Sequence, residues 1–222
     1  MRPVLILRPE PGASATAARA RQLGLEPVLA PLFAVEPVAW KVPEPAGFDA
    51  LLLTSANAVR HGGRGLAALA GLPVHAVGGA TAEAAKGAGF KVASTGSGDV
   101  ADLLSSLPPS LNLLHLAGED RREPEGARQR IVAVTVYRSA LLPPPDALAE
   151  VANAVALVHS PRAGRRLAEL VDRRESLSIV AISPAAAEAC GAGWRTVAIA
   201  EKPSDELLLS LAAQLCKGSA QQ

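Results

Sequence analysis

Aromatic side chains are nearly missing: three Phe, two Trp and one Tyr make up 3% of 222 residues. A core must therefore be assembled from the small and branched aliphatics that dominate the 49% hydrophobic fraction. Cysteine is equally scarce, and Cys190 and Cys216 cannot build a disulfide framework in a chain this size. Cys190 falls in the helical-looking PAAAEAC stretch and Cys216 near the C-terminus, positions that suit small buried hydrophobes. Net charge is absent too. The 22 basic and 21 acidic residues leave +1, so no overall field recruits nucleic acid or a membrane surface. No apolar run approaches the length of a membrane span, and the opening MRPVLILRPEPG has too short an apolar core for a signal peptide. The expectation is a soluble, cytoplasmic protein with no nucleic-acid or membrane partner. Disorder is excluded by the high hydrophobic content, and 18 Pro and 19 Gly without period exclude collagen-like repeats.

The familiar cofactor signatures are also missing. No GxGxxG follows the first apolar run and no GxxxxGK[ST] occurs, which removes the main support for dinucleotide or nucleotide binding. His61, His75, His115 and His159 are scattered, without Cys, Asp or Glu at ligand spacing, so no metal site is expected. There is no G-x-S-x-G nucleophile elbow. The chemistry expected is cofactor-free.

What is present is rhythm. Short apolar runs fit strands at Val4–Leu7, Pro27–Ala30, Ala50–Leu53, Val74–Val77, Val92–Ser94, Leu113–Leu116, Ile131–Val136, Val155–Val158, Ile179–Ile182 and Val197–Ala200. Helical patterns separate most of them, at Ser14–Leu23, Ala56–Leu69, Thr81–Ala88, Arg162–Val171 and Asp205–Leu215. Alternation of this kind predicts an α/β fold with parallel sheets buried on both faces. The pattern also repeats. DALLLTSANAVRHGGRGLAAL resembles NAVALVHSPRAGRRLAEL, and LPVHAVGGATAEAAKGAGFKV resembles LSIVAISPAAAEACGAGWRTV, at an offset of about 105 residues. VLILRPEPG and LLHLAGEDR correspond more loosely. Two similar lobes, each with about five strands, should face a shared cleft. Two apolar, extended segments, PLFAVEPV at 31–38 and IVAVTVYRS at 131–139, interrupt the rhythm and suit a paired strand linker. The residues alone leave open whether the lobes are sequential or interleaved.

Parallel sheets bind ligands at the carboxyl ends of their strands. Those turns contain Arg8, Thr54 and Ser55, Gly78 and Gly79 with Thr81, Arg121 and Arg122, Ser160, and Ser183. Ser55, Ser160 and Ser183 also have the pattern of helix N-caps, the last two followed by Pro at the first helical position. Arg8, Arg121, Arg122, Arg138 and Arg162 follow strand ends or lie on the linker, where guanidinium groups suit a ligand bearing carboxylates. Arg outnumbers Lys roughly three to one, which base composition alone also explains.

The ordered set LILRPEPG, DALLLTSANAV, VHAVGGATAEAAKGAGF, LHLAGEDRRE, VTVYRS, VALVHSPRAGRRLAEL, VAISPAAAEA and VAIAEKPSDELLLSL resembles the uroporphyrinogen-III synthase family across essentially the whole chain. The resemblance implies two flavodoxin-like parallel-sheet lobes joined by a two-stranded β-ladder, with the chain interleaved between them. One lobe would comprise 1–33 and 143–222, the other 40–130, with linker strands at 31–39 and 131–142. It implies a lyase that cyclises hydroxymethylbilane, a linear tetrapyrrole with eight carboxylates, losing water and inverting ring D through a spirocyclic pyrrolenine. No cofactor is implied, and the protein would act as a monomer that receives substrate from hydroxymethylbilane synthase. The family's Tyr in a T-V-Y element matches Tyr137, which becomes the candidate general acid for hydroxide departure. Its strand-end Thr-Ser matches Thr54 and Ser55, its Gly-x-Ala-Thr turn Gly78–Thr81, and its Ser-Pro Ser160-Pro161. The chain departs from its relatives at Ala56-Asn57, where many have Pro-Arg, and at Ala185-Ala186, where hydroxylic residues are usual. A non-catalytic two-lobed binding or sensor protein of the same fold is the alternative.

Overall fold

The structure is a computed structural model and describes residues 2–96, 99–121, 123–124, 126–150 and 153–217. The first stretch contains β1 (Val4–Ile6), α1 (Gly12–Gln22), β2 (Pro27–Leu29) and β3 (Phe33–Pro37). Next come β4 (Ala50–Leu53), α2 (Ala56–His61), β5 (Val74–Val77), α3 (Gly79–Gly87), β6 (Val92–Gly96), α4 (Val100–Ser105), β7 (Asn112–Gly118) and β8 (Arg130–Leu141). The remainder holds α5 (Asp146–Glu150), β9 (Val155–Val158), α6 (Pro161–Leu170), β10 (Ser178–Ala181), α7 (Pro184–Ala189), β11 (Thr196–Ile199) and α8 (Asp205–Lys217). The chain divides into two compact units, Met1–Ala34 with Leu141–Gln222, and Val35–Ala140.

In the first unit five parallel strands run in the order β11-β10-β9-β1-β2. Period-two alternation decides what each face buries. Leu5, Leu7, Ala156, Val158, Ile179 and Ala181 face α6 and α7, whose Ala163, Leu167, Ala186 and Cys190 complete one core. Val4, Ile6, Val155, Leu157 and Val180 face the opposite way, onto Ala13, Ala17 and Ala20 of α1 and Leu208, Leu209 and Ala212 of α8. Small residues let the helices approach closely. A Cβ on Gly164 would stand 2.8 Å from the Ala186 carbonyl oxygen and 2.9 Å from Cys190 Sγ. Both cysteines are free and buried, and burial pushes the Cys190 thiol up to about 11.

The second unit carries the sheet β3-β8-β7-β4-β5-β6. Its five strands β8 to β6 are parallel. β3 runs antiparallel on the edge, since Val38 N–H donates to Val136 O while Leu142 N–H donates to Leu32 O. The sheet is therefore mixed. β8-β7-β4-β5-β6 has the same order as the first sheet, with β7 and β8 in the places of β1 and β2. Leu51, Leu53, Val74 and Leu114 pack on α2 and α3, and Ala50, Leu52 and Leu113 pack on Leu103 and Leu104 of α4.

Three elements differ from their sequence expectation. The helix expected over Ala56–Leu69 stops at His61, because Gly63 takes φ +64° and a 3-10 turn follows over Gly63–Leu69. Helix α4 was not foreseen; Asp99 starts it by accepting the N–H groups of Ala101 and Asp102 at 2.8 and 3.0 Å. The segment 131–139, expected as a strand at Ile131–Val136 and as part of a paired linker, is an integral sheet strand: β8 pairs with β7 from Asn112↔Arg130 to Gly118↔Tyr137.

Gly164→Ala is expected to destabilise the protein by about 1–3 kcal/mol through overpacking between α6 and α7. Urea unfolding measures it, as a lower midpoint with unchanged slope; an unchanged midpoint would mean the helices separate without cost.

Candidate active site

In an open α/β sheet the crevice lies where strand order reverses, outside the carboxyl ends of the strands. In the second unit that place is the β7–β4 junction. The register sets Leu52 opposite His115, so Thr54, two residues on, is a diagonal neighbour of His115 on the same face. Thr54 Oγ1 and His115 Nε2 are 3.0 Å apart. His115 is 2% exposed. Burial, and secondarily the Arg121 guanidinium, push its imidazole down to about 4, so the ring is neutral at pH 7. Next to Thr54, Ser55 caps α2, its Oγ accepting the Asn57 N–H at 3.2 Å. At the end of β7 the phenol end of Tyr137 lies against Gly118, where a Cβ would meet Cε2 and Cζ at 2.8 Å. Only Gly admits this ring. Arg121 leaves the turn after β7 and donates to Thr135 Oγ1 at 3.1 Å.

These elements enclose a cavity of about 450 Å³ that Thr54, Ser55, His115, Arg121 and Tyr137 help to line, with Asp99 at its α4 side. It thus brings together Thr54, Ser55, Arg121 and Tyr137 from the residues expected at the site. The turn after β5 contributes only Val77 to the lining. Gly78, at φ +87°, donates its N–H to Gly96 O, Gly79 opens α3, and Thr81 is buried at 5% exposure. Arg138 is exposed and paired with Glu36 at 3.1 Å. Arg122 lies outside the described residues.

Arg8, Ser160 and Ser183 belong to the first unit. Ser160 and Ser183 cap α6 and α7, accepting the N–H groups of Ala163 and Ala186 at 3.2 and 3.3 Å. Arg8 joins a polar cluster at the β1–β9 reversal, 3.5 Å from Asp205 and 3.4 Å from Thr16 Oγ1. Asp205 also meets His159 Nε2 at 2.8 Å, accepts the Thr16 hydroxyl at 3.1 Å and pairs with Arg19. Burial alone would raise the Asp205 carboxyl; bonds from His159, Arg19 and Thr16 outweigh it and hold the group far below the usual carboxylate range. The cations at this end therefore already have an internal carboxylate partner.

The repeat offered the signal for the residues missed. At the offset of about 105, Thr54 maps onto His159 and Asp99 near Asp205, so both strand-order reversals carry a polar cluster on equivalent positions. His115 was read only as a strand residue, because the Thr54 contact crosses between strands far apart in the chain.

A family model described as uroporphyrinogen-III synthase HemD matches residues 14–210. The chain belongs to the uroporphyrinogen-III synthase family. Its structure is similar to that of the uroporphyrinogen-III synthetase of Helicobacter pylori, with TM-score 0.68 and 19% identity over 97% of this chain and 100% of that one. A mutant uroporphyrinogen III synthase of Thermus thermophilus gives TM-score 0.55 and 24% identity over 98% and 100%. At these identities the structures attest the fold. A search of curated proteins returned no match. Family membership makes this an enzyme of heme biosynthesis with a tetrapyrrole substrate, and favours the synthase over the sensor alternative. Among the described residues no helix is long and apolar enough to cross a membrane.

The buried neutral His115 links this synthase's stability to pH. Its folded value near 4 lies below the ordinary 6.5, so the unfolded chain binds the proton more readily. The contribution is complete above pH 6.5 and is lost as pH falls toward 4, a change of about 2–3 kcal/mol. His61 and His75, both lowered by burial, add in the same direction. Asp205 acts in a separate window, losing its contribution only below its ordinary 3.8. Thermal melting should therefore fall between pH 6.5 and 4.5, with a shallower fall in His115→Gln; equal slopes would contradict a buried neutral His115.

Proposed function

We propose that this chain cyclises hydroxymethylbilane to uroporphyrinogen III with loss of water, a hydro-lyase reaction, and that the β7–β4 cavity handles the reacting end. The observation that carries the reaction is the family match over residues 14–210. What supports the location is that Tyr137 and the Thr54-Ser55 turn share one cavity at the strand-order reversal. A cavity of about 450 Å³ takes part of a four-ring octa-acid rather than all of it.

The reaction begins with cleavage of the C–O bond of the terminal hydroxymethyl group. The pyrrole nitrogen pushes electrons toward that carbon while an acid delivers a proton to the departing hydroxide, giving water, an azafulvene protonated on nitrogen and the acid's conjugate base. Tyr137 is the candidate acid: it carries a phenol, its ring position is held by Gly118, and it lines the cavity. The substituted carbon of ring D then attacks the azafulvene carbon and forms the spirocyclic pyrrolenine. Fragmentation and reclosure through the other carbon invert the ring, and the proton lost on rearomatisation restores the acid. No electrons leave the substrate, so no cofactor is required for balance. Holding ring D against the azafulvene faster than the free chain closes unaided is proximity catalysis.

Arg121 is placed to meet a carboxylate at this cavity, and the Thr54 and Ser55 hydroxyls to meet polar edges of the substrate. We assign Gly78, Gly79, Thr81, Arg138, Arg8, Ser160 and Ser183 to the remaining carboxylates as part of the same reading. The protein would work as a cytoplasmic monomer, receiving its short-lived substrate directly from hydroxymethylbilane synthase.

Purified protein supplied with hydroxymethylbilane, without metal or nucleotide, should give mainly the type III isomer after oxidation and separation. Type I alone, at the rate seen without protein, would favour the sensor reading. Tyr137→Phe keeps the ring on Gly118 and removes the proton donor. Its expected cost is about 100-fold or less in turnover, since an electron-rich pyrrole already expels the hydroxyl readily, with isomer specificity retained. Turnover at the wild-type rate would assign Tyr137 to packing alone.

A further inference from the structure

We propose, resting on the synthase reading above, that His115 is a positioning residue whose hydrogen bond to Thr54 fixes the direction of the Thr54 hydroxyl in the cavity. A hydroxyl is a rotor that can donate once and accept twice, so its value to a ligand depends on what holds it. Of the neighbours of Thr54 on the cavity, Ser55 Oγ accepts the Asn57 N–H and Arg121 donates to Thr135 Oγ1. Among the described residues, Thr54 Oγ1 has His115 Nε2 as its side-chain partner, at 3.0 Å. His115 is itself locked, being 2% exposed within a parallel strand paired on both sides. The backbone is held by both ladders and the ring is buried, so the ring is the better-fixed partner and the hydroxyl, a rotor, adapts to it.

The local topology explains why this ring reaches the cavity. His115 and Leu113 share the sheet face that α4 covers. In the first unit the corresponding face is covered by two helices, α1 and α8. Among the described residues no helix joins β7 to β8; beside α4 the face carries chain around Ala127 and Gln129, and a cavity remains there. His115, Arg121 and Pro124 line both the 450 Å³ cavity and a second one of about 300 Å³. Among the described residues, the charged groups on these two cavities are Glu119, Asp120 and Arg121 after β7, Asp99 before α4, and Glu123 on the second cavity. The neutral ring offers Thr54 a donor or an acceptor, whereas the protonated ring only donates, so burial that keeps it neutral preserves the choice.

The Thr54 contact is made in the bound substrate as well as in the transition state, so losing its direction raises KM and leaves kcat in place. The test is steady-state kinetics on hydroxymethylbilane with His115→Phe, His115→Gln, Thr54→Val and the Phe/Val double variant. His115→Phe and Thr54→Val should each raise KM about 3- to 10-fold, the size of one neutral hydrogen bond, with kcat within about twofold. The double variant should be no worse than the worse single one. His115→Gln, which restores a polar atom near the Nε2 position, should recover most of the loss. Thr54→Val should also move the His115 imidazole nitrogen resonances in the free protein, a readout independent of turnover and available if the Phe variant does not fold. Additive effects, no recovery with Gln, or unmoved imidazole resonances would overturn the proposal while an active wild type leaves the synthase reading intact. A wild type that makes no type III isomer overturns the synthase reading, and this inference with it.

Discussion

The pairing of β7 with β4 is the contact on which the account depends. It joins strands that are far apart in the chain, reverses the direction in which the second sheet grows, and places the carboxyl ends of both strands around one crevice. Parallel pairing is what aligns those ends, since an antiparallel partner would carry its terminus to the opposite edge. Thr54 and Ser55 reach the crevice because β4 is four residues long and buried throughout, ending where α2 needs a cap. Tyr137 reaches it because a register irregularity near Gly118 sets the tyrosine beside a residue without a side chain.

The two sheets share strand order, yet their reversals are chemically different. At β1 and β9 a single carboxylate, Asp205, gathers His159, Thr16, Arg8 and Arg19 around itself. At β7 and β4 the carboxylate nearest in the repeat, Asp99, caps α4, and the hydroxyls and Arg121 line a cavity. The same strand order thus carries a closed polar cluster in one unit and groups that line a cavity in the other. Among the described residues no crossover helix joins β7 to β8, and a cavity lies on the face that His115 occupies.

Much of this was legible in the residues. Ala50–Leu53, Val74–Val77 and Val155–Val158 are strands with the bounds that apolar run length indicates, because strands covered on both faces need uninterrupted hydrophobicity. The caps at Ser55, Ser160 and Ser183 were equally plain, since each serine directly precedes a small-residue or proline start. Local chemistry speaks for itself. What was not legible depends on contacts distant in sequence. His115 looks like any strand residue until β4 is set beside it, and Asp205 looks like a helix-start acid until α1 brings Thr16 and Arg19. The break at Gly63 and the short α4 were hidden for another reason, because a few backbone angles and one cap outweigh an otherwise continuous apolar pattern.

The central claim is that the β7–β4 crevice of the second unit is where substrate chemistry occurs. Backbone amide shifts in isotope-labelled protein titrated with uroporphyrin III, the stable oxidised form of the product, test it most directly. The account predicts saturable shifts that include Thr54, Ser55, Gly118, Arg121 and Tyr137. Shifts that saturate elsewhere while these five stay fixed would contradict it.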